Sequence, residues 1–413
     1  MVLRNLLGFW SSAATAVVPW AMLLLLLLQP LPVAADCECG YSTTTSGSSD
    51  LVFADLLESD FTRVDYFGDG YKGSRRWARQ AFTKSAGAAR GPFGEAYVTG
   101  NAMSDISATA TTKNRKSSSD NNNDSGAGAG LELLVGGKVV DGMVQNAEVA
   151  TTELDYFYGT YRVGLKVTDV PGTCTAFFWY FNDTQEIDIE FLSHEFNHAN
   201  QSYPVNLVLQ TAQSRAAGYD ASGSGTGTFQ KHDLPFDPTA GFHEYRFDFL
   251  ADRVVFYADG AVLATMTGGE DGGGGSGGIP SRGGNLLLSH WSNGNPGWSA
   301  GPPAADARSV VSYVKAYFNS SDAAHGGEAR SRCEKAPAGG NRVCKIPEGN
   351  RGFFFSEPGS GDGQGSGTGA NGQGNGGGDG HHSAAGLPVA TAGRLVPLVL
   401  TVALGATIWI AGQ

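Results

Sequence analysis

Residues Glu186-Ile187-Asp188-Ile189-Glu190 alternate three acids with two isoleucines. A repeat of two is the side-chain period of a β-strand and not of a helix. The segment therefore turns both isoleucines into a core and all three carboxylates onto the opposite face. Three like charges on one face repel one another and push at least one pKa upward. The polar outer face of an ordinary strand mixes signs or uses Ser and Thr, so stability alone does not select this pattern. The strand is expected to be a place of chemistry.

Other runs share the period. Residues 175–181 and 186–191 flank Asn182-Asp183-Thr184-Gln185, a hairpin signature. Residues 254–257 and 261–266 flank Ala258-Asp259-Gly260, a second hairpin with an Asp-Gly turn. Apolar-rich or alternating runs at 131–140, 156–167, 205–209, 242–250, 286–291 and 310–318 complete the series. No convincing amphipathic helix of ten or more residues is legible. Many short strands with Gly-rich turns predict an all-β fold, a sandwich or jelly roll.

Glycine is in excess, 60 of 413 residues, and the excess is segmental. Residues 104–130 are rich in Ser, Thr, Asn and Gly and read as a low-complexity loop inserted in the domain. Residues 268–278 read as a surface loop. Residues 356–383 read as a Gly-rich stalk. Near the start, Arg4, the apolar stretch 17–28 and the small residues Val33-Ala34-Ala35 read as a signal peptide over 1–35. Residues 384–413 combine a spacer with the apolar run 395–411. With the small triplet Ser383-Ala384-Ala385 before them, they match a GPI-attachment signal with Ser383 as the attachment residue. What remains, 36–355, is expected to be one β-sandwich domain at the outer cell surface, held to the membrane's outer leaflet through the lipid.

The chain carries 28 Lys and Arg against 40 Asp and Glu, a net charge of -12. That balance offers no electrostatic footprint for nucleic acid. Five cysteines in a secreted chain predict disulfides. Cys333 and Cys344 close a short loop containing Pro337, Gly339 and Gly340 and are the expected pair. Cys37 and Cys39 are too close to bond one another; one of them can reach Cys174, and one cysteine stays unpaired. Asn123, Asn182, Asn200 and Asn319 each open an N-x-Ser/Thr sequon and are glycan acceptors where exposed.

The chemistry that needs carboxylates on one face is glycoside hydrolysis by retention. One carboxylate attacks the anomeric carbon, and another protonates the leaving oxygen and then activates water. Cα atoms four residues apart on a strand are about 13 Å apart, whereas retaining carboxyls sit about 5–5.5 Å apart. The outer side chains are therefore expected to lean inward over a curved strand. Sugar rings stack on aromatics. Pairing Phe181 with Glu186 in the hairpin puts Trp179 opposite Asp188 and Phe177 opposite Glu190, both on the acid face. Trp291 and Trp298 flank the turn-rich segment Ser292-Asn293-Gly294-Asn295-Pro296-Gly297, suited to a cleft rim. Phe177, Trp179, Trp291 and Trp298, with the polar Asn206 and His290, are the candidate substrate contacts. His194-Glu195-Phe196-Asn197-His198 spells the H-E-x-x-H pattern of zinc proteases, which works only on a helix. Asn197, Asn200 and Pro204 are poor helix material, so the segment reads as a loop between strands.

Glu186 to Glu190 resembles the E-x-D-x-E signature of glycoside hydrolase family 16. Tyr158-Gly159-Thr160-Tyr161-Arg162-Val163 and Phe177-Phe178-Trp179-Tyr180 resemble that family's strands, as do Phe242 to Asp248, Tyr257-Ala258-Asp259-Gly260 and Asn285 to Trp291. Cys37-Glu38-Cys39-Gly40-Tyr41-Ser42 resembles fungal wall-associated members. The similarity runs over 130–318. Gln185 departs from the Asp that many members carry. The resemblance implies a concanavalin-like β-sandwich jelly roll and action on β-glucan or a related cell-wall polysaccharide. It also implies Glu186 as nucleophile, Asp188 as its helper and Glu190 as acid/base. No cofactor is needed for this chemistry. Members can hold a structural calcium, but no ligand set is legible here. Hydrolysis and transglycosylation share the covalent intermediate, and the motif does not separate them. Two other classes remain to compare: a catalytically silent lectin-like wall-binding protein and a zinc protease.

Overall fold

The computed structural model describes residues 37–44, 50–67, 77–106, 129–216, 227–267, 278–336 and 342–356. The signal peptide, Asn123, Ser383, residues 107–128 of the insertion, 268–277 of the second Gly loop, the stalk from 357 and the anchor signal lie outside the described residues.

In chain order the strands begin with β1 (Tyr41–Thr43), β2 (Leu51–Phe53), β3 (Asp55–Asp60), β4 (Trp77–Arg79), β5 (Phe82–Lys84), β6 (Gly94–Tyr97) and β7 (Ala102–Asp105). There follow β8 (Gly130–Val135), β9 (Val139–Val140), β10 (Met143–Thr151), β11 (Tyr156–Lys166), β12 (Cys174–Asn182), β13 (Gln185–Leu192) and β14 (Pro204–Gln210). The series ends with β15 (Phe229–Asp233), β16 (His243–Phe249), β17 (Val254–Ala258), β18 (Ala261–Met266), β19 (Asn285–Trp291), β20 (Ala307–Ser320) and β21 (Cys344–Lys345). One sheet runs β15-β14-β13-β12-β19-β10-β6-β5, with β4 and β9 also on β10. A second runs β18-β17-β16-β11-β20-β8-β7, with β3 also on β20. The all-β sandwich expected from the strand periodicity is the observed fold.

The core lies between these two sheets. Phe177, Trp179, Ile187, Ile189, Val205, Leu207 and Leu209 enter it from the first sheet and Tyr161, Val163, Tyr245, Phe247 and Phe249 from the second. Phe177 meets Phe247 at 5.3 Å between ring centroids, and Trp179 meets Phe249 at 5.0 Å. The Trp179 indole donates to the Tyr156 carbonyl at 2.9 Å. Phe177 and Trp179 are thus core residues, not members of the acid face. The expected register holds at the turn, where Asn182 pairs with Gln185, but a one-residue irregularity before Asn182 makes Tyr180 the partner of Glu186. Such a bulge moves every residue beyond it to the other face.

A third, small sheet, β2-β1-β21, joins the two ends of the domain. β1 and β21 pair in parallel, Tyr41 opposite Cys344. That pairing decides the disulfides. They are Cys37–Cys344 and Cys39–Cys333, and Cys174 is the free cysteine. The expected Cys333–Cys344 pair and a bond to Cys174 are both overturned, because β21 is drawn onto the N-terminal strand.

Among the described residues three short α-helices accompany the sheets, α1 (Ala86–Ala89), α2 (Ala212–Ala216) and α3 (Ala323–Lys335). At thirteen residues α3 is longer than ten, but it is not amphipathic, so the expectation of no amphipathic helix of that length stands among the described residues. Its sequence has two glycines and only Ala329 buried, so no apolar stripe announces it. It is held by the Asp322 side-chain cap on Ala324 N at 2.8 Å and by the Cys39–Cys333 bond.

The insertion is shorter than the composition suggests. Ser104 pairs with Leu131 and Asp105 with Gly130, so β7 and β8 form a hairpin that consumes both ends of the segment. Gly130 has φ +150°, and a Cβ there would stand 2.5 Å from the Val311 carbonyl oxygen. Only glycine fits this approach.

Candidate active site

β13 lies between β12 and β14 in the first sheet. Ile187 and Ile189 are fully inside the core, so Glu186, Asp188 and Glu190 occupy the outer face. Directly opposed residues share a face, and the registers give rows across it. The first row is Glu148, Ser289, Ala176, Glu190, Asn206 and Lys231. The second is Ala150, Leu287, Phe178, Asp188, Val208 and Phe229. The third contains Asn285, Tyr180, Glu186 and Gln210. Between Glu148 and Glu190 stand only Ser289 and Ala176. Three strand spacings, about 14 Å, therefore separate two carboxylates across a floor of small side chains.

Buried polar atoms normally have partners. Here Glu186 Oε1 and Oε2, Glu190 Oε2, Glu148 Oε2, Asn206 Oδ1, Ser289 Oγ, Trp291 Nε1 and Trp298 Nε1 are buried with no hydrogen-bond partner among the described residues. A hydroxyl-rich ligand would satisfy them. The apolar surroundings are of the same side. Trp291 and Trp298 cluster with Tyr97, Cys174 and Leu192, and Phe178 clusters with Ala150, Ala176, Leu287 and Tyr180.

Burial sets the electrostatics. It pushes the Glu190 carboxyl up to about 7, against the pull of the Cys174 thiol and the Trp298 indole. Burial also raises Glu186, while its interaction with Asp188 pulls it back down. Asp188 is raised by burial first, then by the neighbouring Glu186 and Glu190 charges. Both carboxyls are thus raised, and the hydrogen bond they share raises Asp188 while lowering Glu186. Glu148 is pushed up to about 7 by burial, against the pull of the Lys84 charge. Lys84 itself bridges Glu95 at 3.5 Å, both buried.

Of the expected contacts, Trp291, Trp298 and Asn206 lie on the acid face, Asn206 directly beside Glu190. Phe177 and Trp179 do not. Nor does His290. Its Nδ1 donates to the Leu133 carbonyl at 2.8 Å and its Nε2 faces the Thr173 hydroxyl at 2.9 Å. Burial lowers its pKa to about 4, so it is a neutral strut between the sheets. Phe178, Tyr180 and Glu148 were missed. A lone acid among Val and Ala in 143–151 was the available signal for Glu148. The H-E-x-x-H segment forms a one-turn 3-10 element at Ser193–Glu195 and a turn. Glu195 is taken up by Lys231 at 2.7 Å and by Asn206, and His198 by Asp237 at 3.2 Å. Among the sequons, Asn200 and Asn319 are exposed and Asn182 is half-buried.

The family model described as Glycosyl hydrolases family 16 matches residues 107–313. A β-glucanase from Paenibacillus macerans is 30% identical over 151 residues, 35% of this chain and 52% of the relative. Crh-like protein 2 from Botryotinia fuckeliana (strain B05.10) is 28% identical over 140 residues, 34% of this chain and 28% of the relative. The chain thus spans about half the length, or less, of these relatives. Among solved structures, a β-1,3-1,4-glucanase (lichenase) derived from a mouse hindgut metagenome superimposes with a TM-score of 0.43 at 20% identity. That match covers 63% of this chain and 98% of the other.

Proposed function

The chain belongs to glycosyl hydrolase family 16, and on that premise we propose that it is a retaining enzyme acting on the β-glucan of a cell wall. The observation that carries the reading is the set of three buried carboxylates on the outer face of β13, where both Glu186 oxygens and Glu190 Oε2 lack partners among the described residues. In this reading the Glu186 carboxylate attacks the anomeric carbon and the bond to the leaving oxygen breaks. Glu190 gives that oxygen its proton. A carboxyl raised to about 7 holds a proton at neutral pH and can release it, as a general acid requires. Glu190, now ionised, takes a proton from water or from an acceptor sugar hydroxyl, which attacks the glycosyl-enzyme ester and frees Glu186. Asp188 supports the charge on Glu186 by keeping the shared proton. The apolar sides of Phe178, Trp291 and Trp298 supply surface for sugar rings.

Secretion and lipid anchoring complete the proposal and rest on the leader 1–35 and the tail 384–413. Phosphatidylinositol-specific phospholipase is expected to release the protein from membranes; release by detergent alone would contradict the anchor. The activity is tested by product analysis on laminarin, mixed-linkage glucan and chitin oligomers, with and without a labelled acceptor sugar. Shortened products without label signify hydrolysis, and labelled longer ones signify transfer. Binding without any turnover would return the lectin-like reading.

A further inference from the structure

The mechanism above leaves the thiol of Cys174 unused. Cys174 opens β12, and its side chain is fully buried. The other four cysteines are in disulfides, so this is a free thiol. Its Sγ stands 3.4 Å from Glu190 Oε1 and donates to it. Glu190 Oε2 has no partner among the described residues. The two oxygens of one carboxyl group are therefore unequal. An oxygen already accepting a hydrogen bond is the poorer place for the group's own proton.

We propose that Cys174 is a positioning residue for Glu190: its S–H occupies Oε1, which fixes the carboxyl plane and leaves Oε2 to carry the proton that the glycosidic oxygen receives. The proposal rests on the acid/base reading of Glu190.

The surroundings support it. Burial, and next the Glu190 charge, raise the Cys174 thiol well above its ordinary value. It stays S–H, a donor, throughout the range in which Glu190 titrates. The groups facing Glu190 are Asp188 and Glu186 on its own strand, Cys174 from β12, Asn206 from β14 and the Trp298 indole beyond β19. Behind Asn206 lies the Glu195–Lys231 pair. Cys174 and Trp298 both pull on Glu190 from within the apolar cluster they share with Leu192 and Trp291, and Cys174 is the one whose bond falls on Oε1. Packing thus holds the donor in place.

The sign follows. A donor to the ionised carboxylate lowers its pKa, so losing the thiol raises it. A thiol is a weak donor, and the shift expected for Cys174→Ala is about half a pH unit. The mature chain is compared as wild type, Cys174→Ala and Cys174→Ser by the pH profile of kcat/KM on an unactivated glucan oligosaccharide. A 13C titration of the Glu190 carboxyl is run in parallel. Cys174→Ala is expected to move both the alkaline limb and the carbon midpoint upward. It should lower kcat about fivefold with KM within about twofold, and the loss should shrink on an aryl glycoside whose leaving group needs little protonation. Cys174→Ser keeps a donor and should hold kcat within about twofold, with its limb at or below that of wild type. An unmoved limb and midpoint in Cys174→Ala, or equal effects of Ala and Ser, would overturn the proposal while leaving the function standing. No turnover by the wild type would defeat the acid/base reading, and the positioning role with it.

Discussion

At the scale of single residues, the outer face of β13 is expensive for the fold. Glu190 and Glu148 stand in one row, each buried and each raised from an ordinary 4.5 to about 7. A carboxyl with a raised folded pKa binds its proton more tightly folded than unfolded. Its contribution is favourable below about 4.5 and is lost as pH rises through about 7. Replacing Glu190 by Gln removes the buried charge but keeps the shape. Glu190→Gln is therefore expected to be more stable than wild type at pH 8, by on the order of 3 kcal/mol, with the difference closing toward pH 4.5. Denaturant unfolding at the two pH values checks this; a variant less stable than wild type at pH 8 would contradict it. The two neighbouring aromatics of β12 separate cleanly. Trp179 is core, so Trp179→Ala should lose about 3–5 kcal/mol of stability. Phe178 lies opposite Asp188. Phe178→Ala should chiefly raise KM for glucan, measured by steady-state kinetics, with a smaller stability cost than Trp179→Ala.

At the scale of elements, what was legible was periodicity. Glu186 to Glu190 could only be a strand with its acids on one side, and the hairpins at 182–185 and 258–260 lie where their turn residues placed them. What was not legible was the irregularity at Phe181. A bulge costs one residue and leaves no compositional trace, yet it exchanged Phe177 and Trp179 for Phe178 and Tyr180 on the working face. Likewise α3 has no apolar face to read; its cap and its disulfide hold it from outside its own sequence. The insertion gives a sharp test of element boundaries. Deleting 107–128 and joining the ends with a tight turn should leave the melting temperature within about 4 °C, since loop length costs little. Deleting 104–130 removes the Ser104–Leu131 and Asp105–Gly130 pairs and should cost more. Equal melting temperatures for the two deletions would contradict the β7–β8 hairpin.

At the scale of the whole molecule, the domain is closed at its ends. β1 and β21 lie side by side, and two disulfides join residues 307 and 294 apart in sequence. Closing loops this long restricts the unfolded chain strongly, by a few kcal/mol each in the chain-entropy account. Spacing alone suggested Cys333 with Cys344; only the parallel pairing across the whole chain shows otherwise. Proteolysis without reduction is expected to give linked peptides containing Cys37 with Cys344 and Cys39 with Cys333. A peptide pair joining Cys333 to Cys344 would contradict the closure. Long-range pairing likewise places Glu148 of β10 three strands from Glu190 and on the same face.

The central claim is that Glu186 and Glu190 perform retaining chemistry in distinct roles, and azide rescue of their alanine variants tests it most directly. Both Glu186→Ala and Glu190→Ala should stay folded and lose most glucan turnover. With an activated aryl glucoside, azide added to Glu186→Ala should occupy the vacated nucleophile side and give a glycosyl azide of inverted configuration. With Glu190→Ala the covalent intermediate still forms, azide intercepts it, and the glycosyl azide keeps the substrate's configuration. Exchanged products would reverse the two roles, and near-wild-type turnover in either variant would remove β13 from the reaction.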